Sequence, residues 1–238
     1  MRFLADEQSN LNGSLAEMRA DLAFHDELDA LFSSFLYRRD PLRFGETKYF
    51  AFGEVVRGQI LRALANVTRP HLSEAFAASR VALEAAFYAK MISMGQISED
   101  EYFEDPKKKA QLARNVRNLR REGKVDETVG VILDTKSLHS ENGSHADASI
   151  FRHRVEQFPG GSLKVSFFQS PPSSEVRYHF LGMLWVEGLC LKALVEIARD
   201  EFRDDVASWI SRLDGFKERL QSYRLANGIG PAPVNGSF

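Results

Sequence analysis

The sequence predicts an all-α protein, a helical bundle of about six or seven helices with one short β-hairpin at about 153–169. Three observations predict it. Apolar side chains recur every three or four positions along most of the chain, the spacing that gathers them on one face of a helix. A long apolar run, 180–195, carries Glu187 near its middle, which suits a helix buried within a bundle. Alternation with a period of two, the mark of a half-buried strand, appears once, beside Pro159-Gly160-Gly161.

The first helix is expected over 14–37, where Leu15, Met18, Leu22, Leu28, Phe32 and Phe35 share a helical period. Ser14 and Glu17 have the spacing of a capping box, and Pro41 disfavours helix at Asp40. A second segment, 48–67, runs through Phe52, Val56, Ile60 and Leu64. A third, 70–94, is rich in alanine, which favours helix and lets neighbours approach, so it should lie centrally.

An acidic linker, 98–105, then leads into a fourth helix over 106–123, with Pro106 in its first turn. A fifth covers 125–139, and Ser140-Glu141-Asn142-Gly143-Ser144 reads as a turn. The hairpin follows, its strands 153–158 and 163–169, and needs the helices behind it because an isolated hairpin is marginal in water. The long buried helix spans 171–202 and a shorter one 204–223. The expected organisation is one helical domain, 1–224, with a mobile tail, 225–238, rich in Gly, Asn and Pro.

At 238 residues the chain fits a single core, and its 31 Lys plus Arg nearly cancel its 33 Asp plus Glu. Any polyanion binding must therefore come from a local patch. The lone Cys190 sits in the apolar run, which excludes a disulfide framework and a cysteine-based zinc site and suits a reducing compartment. The first residues turn acidic before a signal-peptide stretch forms, so the expected location is cytoplasmic. Residues 178–198 are long enough to span a bilayer, but Glu187, Lys192 and Glu196 argue for a core helix and no membrane association.

Four groups of residues could carry chemistry. His139, His145 and His153, half of the six histidines, fall close to Glu141 and Asp147. Such residues can ligate a divalent metal through His139, Glu141, His145 and Asp147, or serve as acid and base. Equally, Ser140, Asn142 and Ser144 can cap helix ends while His145 bonds a backbone carbonyl. The spacing matches no metal motif with known mechanics, and no cofactor is expected.

Arg80 and Glu84 stand four apart on the alanine-rich helix and can pair, on the surface or within the bundle. Glu187, buried among apolar groups, should meet a cation or hold its proton to higher pH, with Arg80 or a histidine of the cluster as the natural partner. Finally, Lys107, Lys108, Arg114, Arg117 and Arg121 belong to one basic helix, 107–124, which could follow the phosphates of RNA. Alternatively it is a solvated helix whose acidic approach and basic end complement the helix dipole. No Walker loop, Gly-x-Ser-x-Gly elbow or His-Glu-x-x-His helix occurs.

Arg80-x-x-x-Glu84 in an alanine-rich helix, followed by Leu138-His139-Ser140-Glu141-Asn142-Gly143-Ser144-His145, resembles uncharacterised bacterial all-helical proteins of the abortive-infection and HEPN-like kind over 75–148. The resemblance implies a helical bundle, often dimeric. Active members of such families are metal-independent ribonucleases using Arg, four to six residues, then His. Here Arg19 and His25 have that relation, with Ala20 where a polar residue is usual.

Three functions follow as expectations: a non-enzymatic, self-associating binding or scaffold protein; a HEPN-like RNA-acting protein with a pocket drawn from Arg80, Glu84, His139, His145 and Glu187; or a small-molecule or metal-binding bundle. They part on one point. If His139 or His145 opens into a cleft beside the basic helix, RNA chemistry gains; if they face packed apolar groups, the binding protein does.

Overall fold

A computed structural model describes residues 2–37, 47–69, 71–122, 124–144, 155–157, 163–165, 173–201 and 206–230. It is all-α in class. Among the described residues nine helices occur: α1 (Arg2–Glu17), α2 (Arg19–Leu36), α3 (Thr47–Thr68), α4 (Leu72–Ser93), α5 (Glu99–Glu104), α6 (Pro106–Arg121), α7 (Glu127–Ser144), α8 (Ser173–Glu201) and α9 (Val206–Ala226).

The core forms around α4 and α8, which supply more of the buried apolar side chains than any other element. α4 packs on α3, α7 and α8, while α8 also meets α2, α3, α7 and α9. Ala75, Ala82, Ala86 and Ala89 are fully buried, so the small residues of α4 lie where its neighbours approach. On α8, Phe180, Leu181, Leu184, Leu189 and Leu191 are sealed on every side, as expected for a helix within a bundle. No helix of the described residues is long and apolar enough to cross a membrane.

Three expectations need correction. The helix expected from Ser14 begins at Arg2: Ser14 lies inside α1, and its carbonyl accepts from Met18 N at 2.9 Å. Met18 (φ −98°, ψ 16°) interrupts the regular geometry, and Leu22 N bonds back to its carbonyl at 2.9 Å, so α2 resumes at once. The stretch expected to be an acidic linker contains α5, and there the capping box is real. Ser98 is extended (φ −78°, ψ 164°), its Oγ accepts from Glu101 N and its own N donates to Glu101 Oε2, both at 3.1 Å.

The third correction concerns the expected turn after His139, where α7 instead continues to Ser144. The Ser140 hydroxyl donates to the Lys136 carbonyl at 2.8 Å, so a residue that favours turns satisfies itself within the helix. The expected tail, 225–238, is described only as far as Gly230. α9 reaches Ala226, Gly228 takes a left-handed φ of 67°, and Ile229 N bonds to Arg224 O at 2.9 Å, with Ile229 buried. Arg224, itself buried, donates from Nε and Nη2 to the Gly230 carbonyl at 3.1 and 2.8 Å. Within 225–230 Ile229 is thus buried while its neighbours are exposed, and 231–238 lie outside the described residues.

Most of the span expected to form the hairpin also lies outside them. Its described part is a three-residue antiparallel pairing of β1 (Val155–Gln157) with β2 (Leu163–Val165), in the register Val155 to Val165, Glu156 to Lys164 and Gln157 to Leu163.

Candidate functional site

α2 brings two polar side chains into the core. Met18, Leu28 and Phe32 mark its buried stripe, and the same stripe passes through Asp21 and His25, three and seven residues after Met18. Both meet residues of α8. Asp21 is wholly buried and accepts from Arg177 Nε at 2.8 Å and Nη2 at 3.1 Å, a two-pronged pairing matched to the planar guanidinium. Arg177 Nη2 also donates to the Tyr223 hydroxyl at 3.0 Å, which ties α9 to the same cluster.

One turn further along α2, His25 Nδ1 lies 3.7 Å from Glu187 Oε2. Glu187 is 1 % exposed, and burial pushes its carboxyl above the ordinary range against the opposing pull of His25. For His25, burial lowers the affinity for a proton, but the facing Glu187 carboxylate, with the charges of Asp29 and Asp26, outweighs it and raises the imidazole overall. Asp29 is held by Arg57 of α3 through contacts of 2.8 and 2.9 Å. Cys190, a turn beyond Glu187, is buried, and its thiol is pushed far up by burial and then by Glu187, which leaves it inert.

A second polar cluster lies between α4, α7 and α8. His139 is 3 % exposed, and its Nδ1 is 2.5 Å from Ser79 Oγ. The Ser79 hydroxyl also reaches the Phe76 carbonyl at 3.0 Å, so with its one proton placed there His139 donates from Nδ1. The Phe76 ring stands edge-on to His139 and to His179, at centroid separations of 5.1 and 5.4 Å. Burial, then the nearby His179, pushes the His139 imidazole down to about 4. It is neutral at physiological pH and closed off from water, with its Nδ1 proton engaged by Ser79.

The residues singled out from the sequence do not converge. Among the described residues, no hydrogen bond or ion pair joins Arg80, Glu84, His139 and Glu187 to one another. Glu84 pairs with Lys136 at 3.0 Å rather than with Arg80, because α7 packs on that side of α4. Arg80 is half-buried, with its Nε enclosed and without a hydrogen-bond partner among the described residues. Glu187 meets His25 rather than Arg80 or a histidine of the cluster. His145 and Asp147, and the side chain of Glu141, lie outside the described residues, and no group of three metal-binding side chains occurs among those described.

On α6, Lys107, Lys108, Arg114, Arg117 and Arg121 are all exposed. Lys108 pairs with Glu101 at 3.0 Å. Leu112 and Val116 anchor the helix by its buried side, and Asp105 caps it, accepting from Lys107 N and Lys108 N at 2.9 and 3.1 Å.

His25, Asp21 and Arg177 were missed as interior polar residues, although the signal was present. Each falls on a helical stripe otherwise filled by apolar groups, the position at which a polar residue must find a partner. Comparison of the chain with family models, with curated proteins and with solved structures finds no match.

Proposed function

We propose that the chain is a non-enzymatic binding or scaffold protein of the cytoplasm that self-associates, its interior polar clusters holding the helices in register. The observation that carries this reading is the sealing of His139. The side chain best suited by sequence to acid-base chemistry is packed against Phe76, bonded to Ser79 and kept neutral. The pairs Asp21–Arg177 and His25–Glu187 join α2 to α8, and Asp29–Arg57 joins α2 to α3. Each fixes one helix against another, a role that polar groups in a core can fill.

The test is incubation of the purified protein with labelled single-stranded RNA, with and without divalent metal, alongside sedimentation velocity. Intact RNA and a dimer or larger species support the reading. Cleavage abolished by His25→Ala, or a monomer at every concentration, defeats it.

A second reading, a HEPN-like ribonuclease, draws on one observation. His25, the histidine six residues after Arg19, retains some exposure and lies beside a carboxylate. Against it, Arg19 is exposed, and six residues turn a helix by about 240° beyond one revolution, so the two side chains leave α2 on different faces.

A further inference from the structure

We propose that the outward face of α6, together with Phe103, is a docking surface for a single-stranded nucleic acid. The inference rests on the binding-protein reading and names its partner.

Between Pro106 and Arg121, α6 carries no Asp or Glu. Lys107, Arg114 and Arg121 follow one another at intervals of seven residues, two helical turns, and so share one face. All three are exposed, and none makes an ion pair with the described residues. From Lys107 to Arg121 the stripe rises about 21 Å, long enough to meet several successive phosphates. Gln111, Asn115 and Asn118, also exposed, lie among these cations. Their amides offer both donors and acceptors, the chemistry that pairs with base edges.

Phe103 supplies the aromatic partner that the cations alone lack. It is 71 % exposed, four residues before Lys107, and its ring stands edge-on to Tyr102 at 4.9 Å. Tyr102 in turn meets Phe52 at 5.4 Å and Tyr88 at 4.9 Å, and Lys109 lies 4.7 Å over its ring. The exposed ring thereby rests on a tyrosine packed against the core, four residues before the first cation of the row, and an aromatic near a row of cations is the arrangement on which an unpaired base stacks while its backbone is neutralised.

The acids nearby limit the surface without cancelling it. Glu101 is engaged by Lys108 and by Ser98 N, and Asp105 by the first amides of α6, while Asp100 and Glu104 are exposed and mark its edge. An acidic protein partner would need apolar anchors along the row of cations as well as Phe103 at its start. The face along Lys107, Arg114 and Arg121 carries amides there instead, so the nucleic acid is the better match.

The experiment is fluorescence anisotropy of the full chain with a labelled twelve-nucleotide oligouridine, repeated with a duplex of equal length and with polyglutamate as competitor. Binding should weaken with salt at a logarithmic slope of about −2 to −3, that of three or four single-strand phosphates. Arg114→Glu with Arg121→Glu should weaken it at least tenfold, and Phe103→Ala about fivefold or more while leaving the slope unchanged. All these side chains are exposed, so folding, checked by circular dichroism, stays intact. No binding at low salt, indifference to the arginine pair, equal binding of the duplex, or displacement by polyglutamate as readily as by RNA each overturns the proposal. Absence of binding leaves the non-enzymatic reading standing, whereas cleavage of bound RNA removes that reading and leaves the surface.

Discussion

His25 Nδ1 faces Glu187 Oε2 at 3.7 Å, beyond hydrogen-bond length, and neither atom has a hydrogen-bond partner among the described residues. The two titrate as a unit, since the burial that holds a proton on the carboxyl and the carboxylate that holds one on the imidazole act on the same pair. Both groups are raised on folding. Their contribution is complete below the unfolded values of 4.5 and 6.5 and is lost as pH rises through the folded ones. Glu187→Gln, which keeps the shape and removes the charge, should lower the His25 pKa in an NMR titration and flatten the alkaline side of the stability profile. Glu187→Ala should cost about 2–4 kcal/mol in urea unfolding, from the cavity and the stranded imidazole.

His139 should behave in the opposite sense. Its folded pKa of about 4 lies below the unfolded 6.5, so unfolding takes up a proton between those values, and stability falls as pH falls through that window. The loss approaches about 3 kcal/mol when complete. In an NMR titration its ring resonance should stay unprotonated down to about pH 5, while that of His25 changes above its ordinary value. His139→Phe, which keeps an edge-on aromatic contact with Phe76, should flatten the acid side of the profile. An imidazole at this position titrating near 6.5 would contradict the packing described.

The Asp21–Arg177 pair should be strongly coupled. Asp21→Ala leaves a guanidinium facing a core position and should cost about 3 kcal/mol. A double-mutant cycle with Arg177→Ala, followed by chemical denaturation, should return a coupling of about 1–3 kcal/mol, because the bidentate contact is lost whichever partner is removed. Coupling near zero would mean that water already satisfies the arginine.

Two glycines of α3 should answer in opposite directions. A Cβ at Gly53 runs into Leu36 Cδ2, where α2 and α3 approach closely, so Gly53→Ala should destabilise by about 1–3 kcal/mol. Gly58 is exposed with open space at its Cβ position, and Gly58→Ala should stabilise by about 0.5–1 kcal/mol through helix propensity alone. Thermal melts of the two variants measure both.

The pair of Ser-x-x-Glu motifs shows why element boundaries were only partly legible. Ser14 and Glu17 have the same spacing as Ser98 and Glu101, yet only the second pair caps a helix. What separates them is the preceding backbone. α4 ends at Ser93 and Gly95, two residues on, turns the chain with a φ of 66° ahead of the extended Ser98, whereas the chain before Ser14 is already helical. Gly228 closes α9 by the same left-handed turn, and Ile229 packs behind it, so the glycine that suggested a loose tail marks a helix end. Composition reports that a turn occurs, but not whether the residues after it find a surface to cover.

By itself, the sequence determined the class: the spacing of apolar side chains requires helices, and the density of such side chains in α4 and α8 requires that these two lie innermost. Only the tertiary structure decided which polar groups meet. Glu187 had to have a partner because a bare carboxylate in a core is costly, and that much is local chemistry. That the partner is His25, that Asp21 meets Arg177 and that His139 is closed in by Ser79 and Phe76 depend on which helix faces are brought together. Those contacts join residues as much as 162 positions apart, and they arise from the packing of whole surfaces, to which each polar pair adds only a small part of the energy.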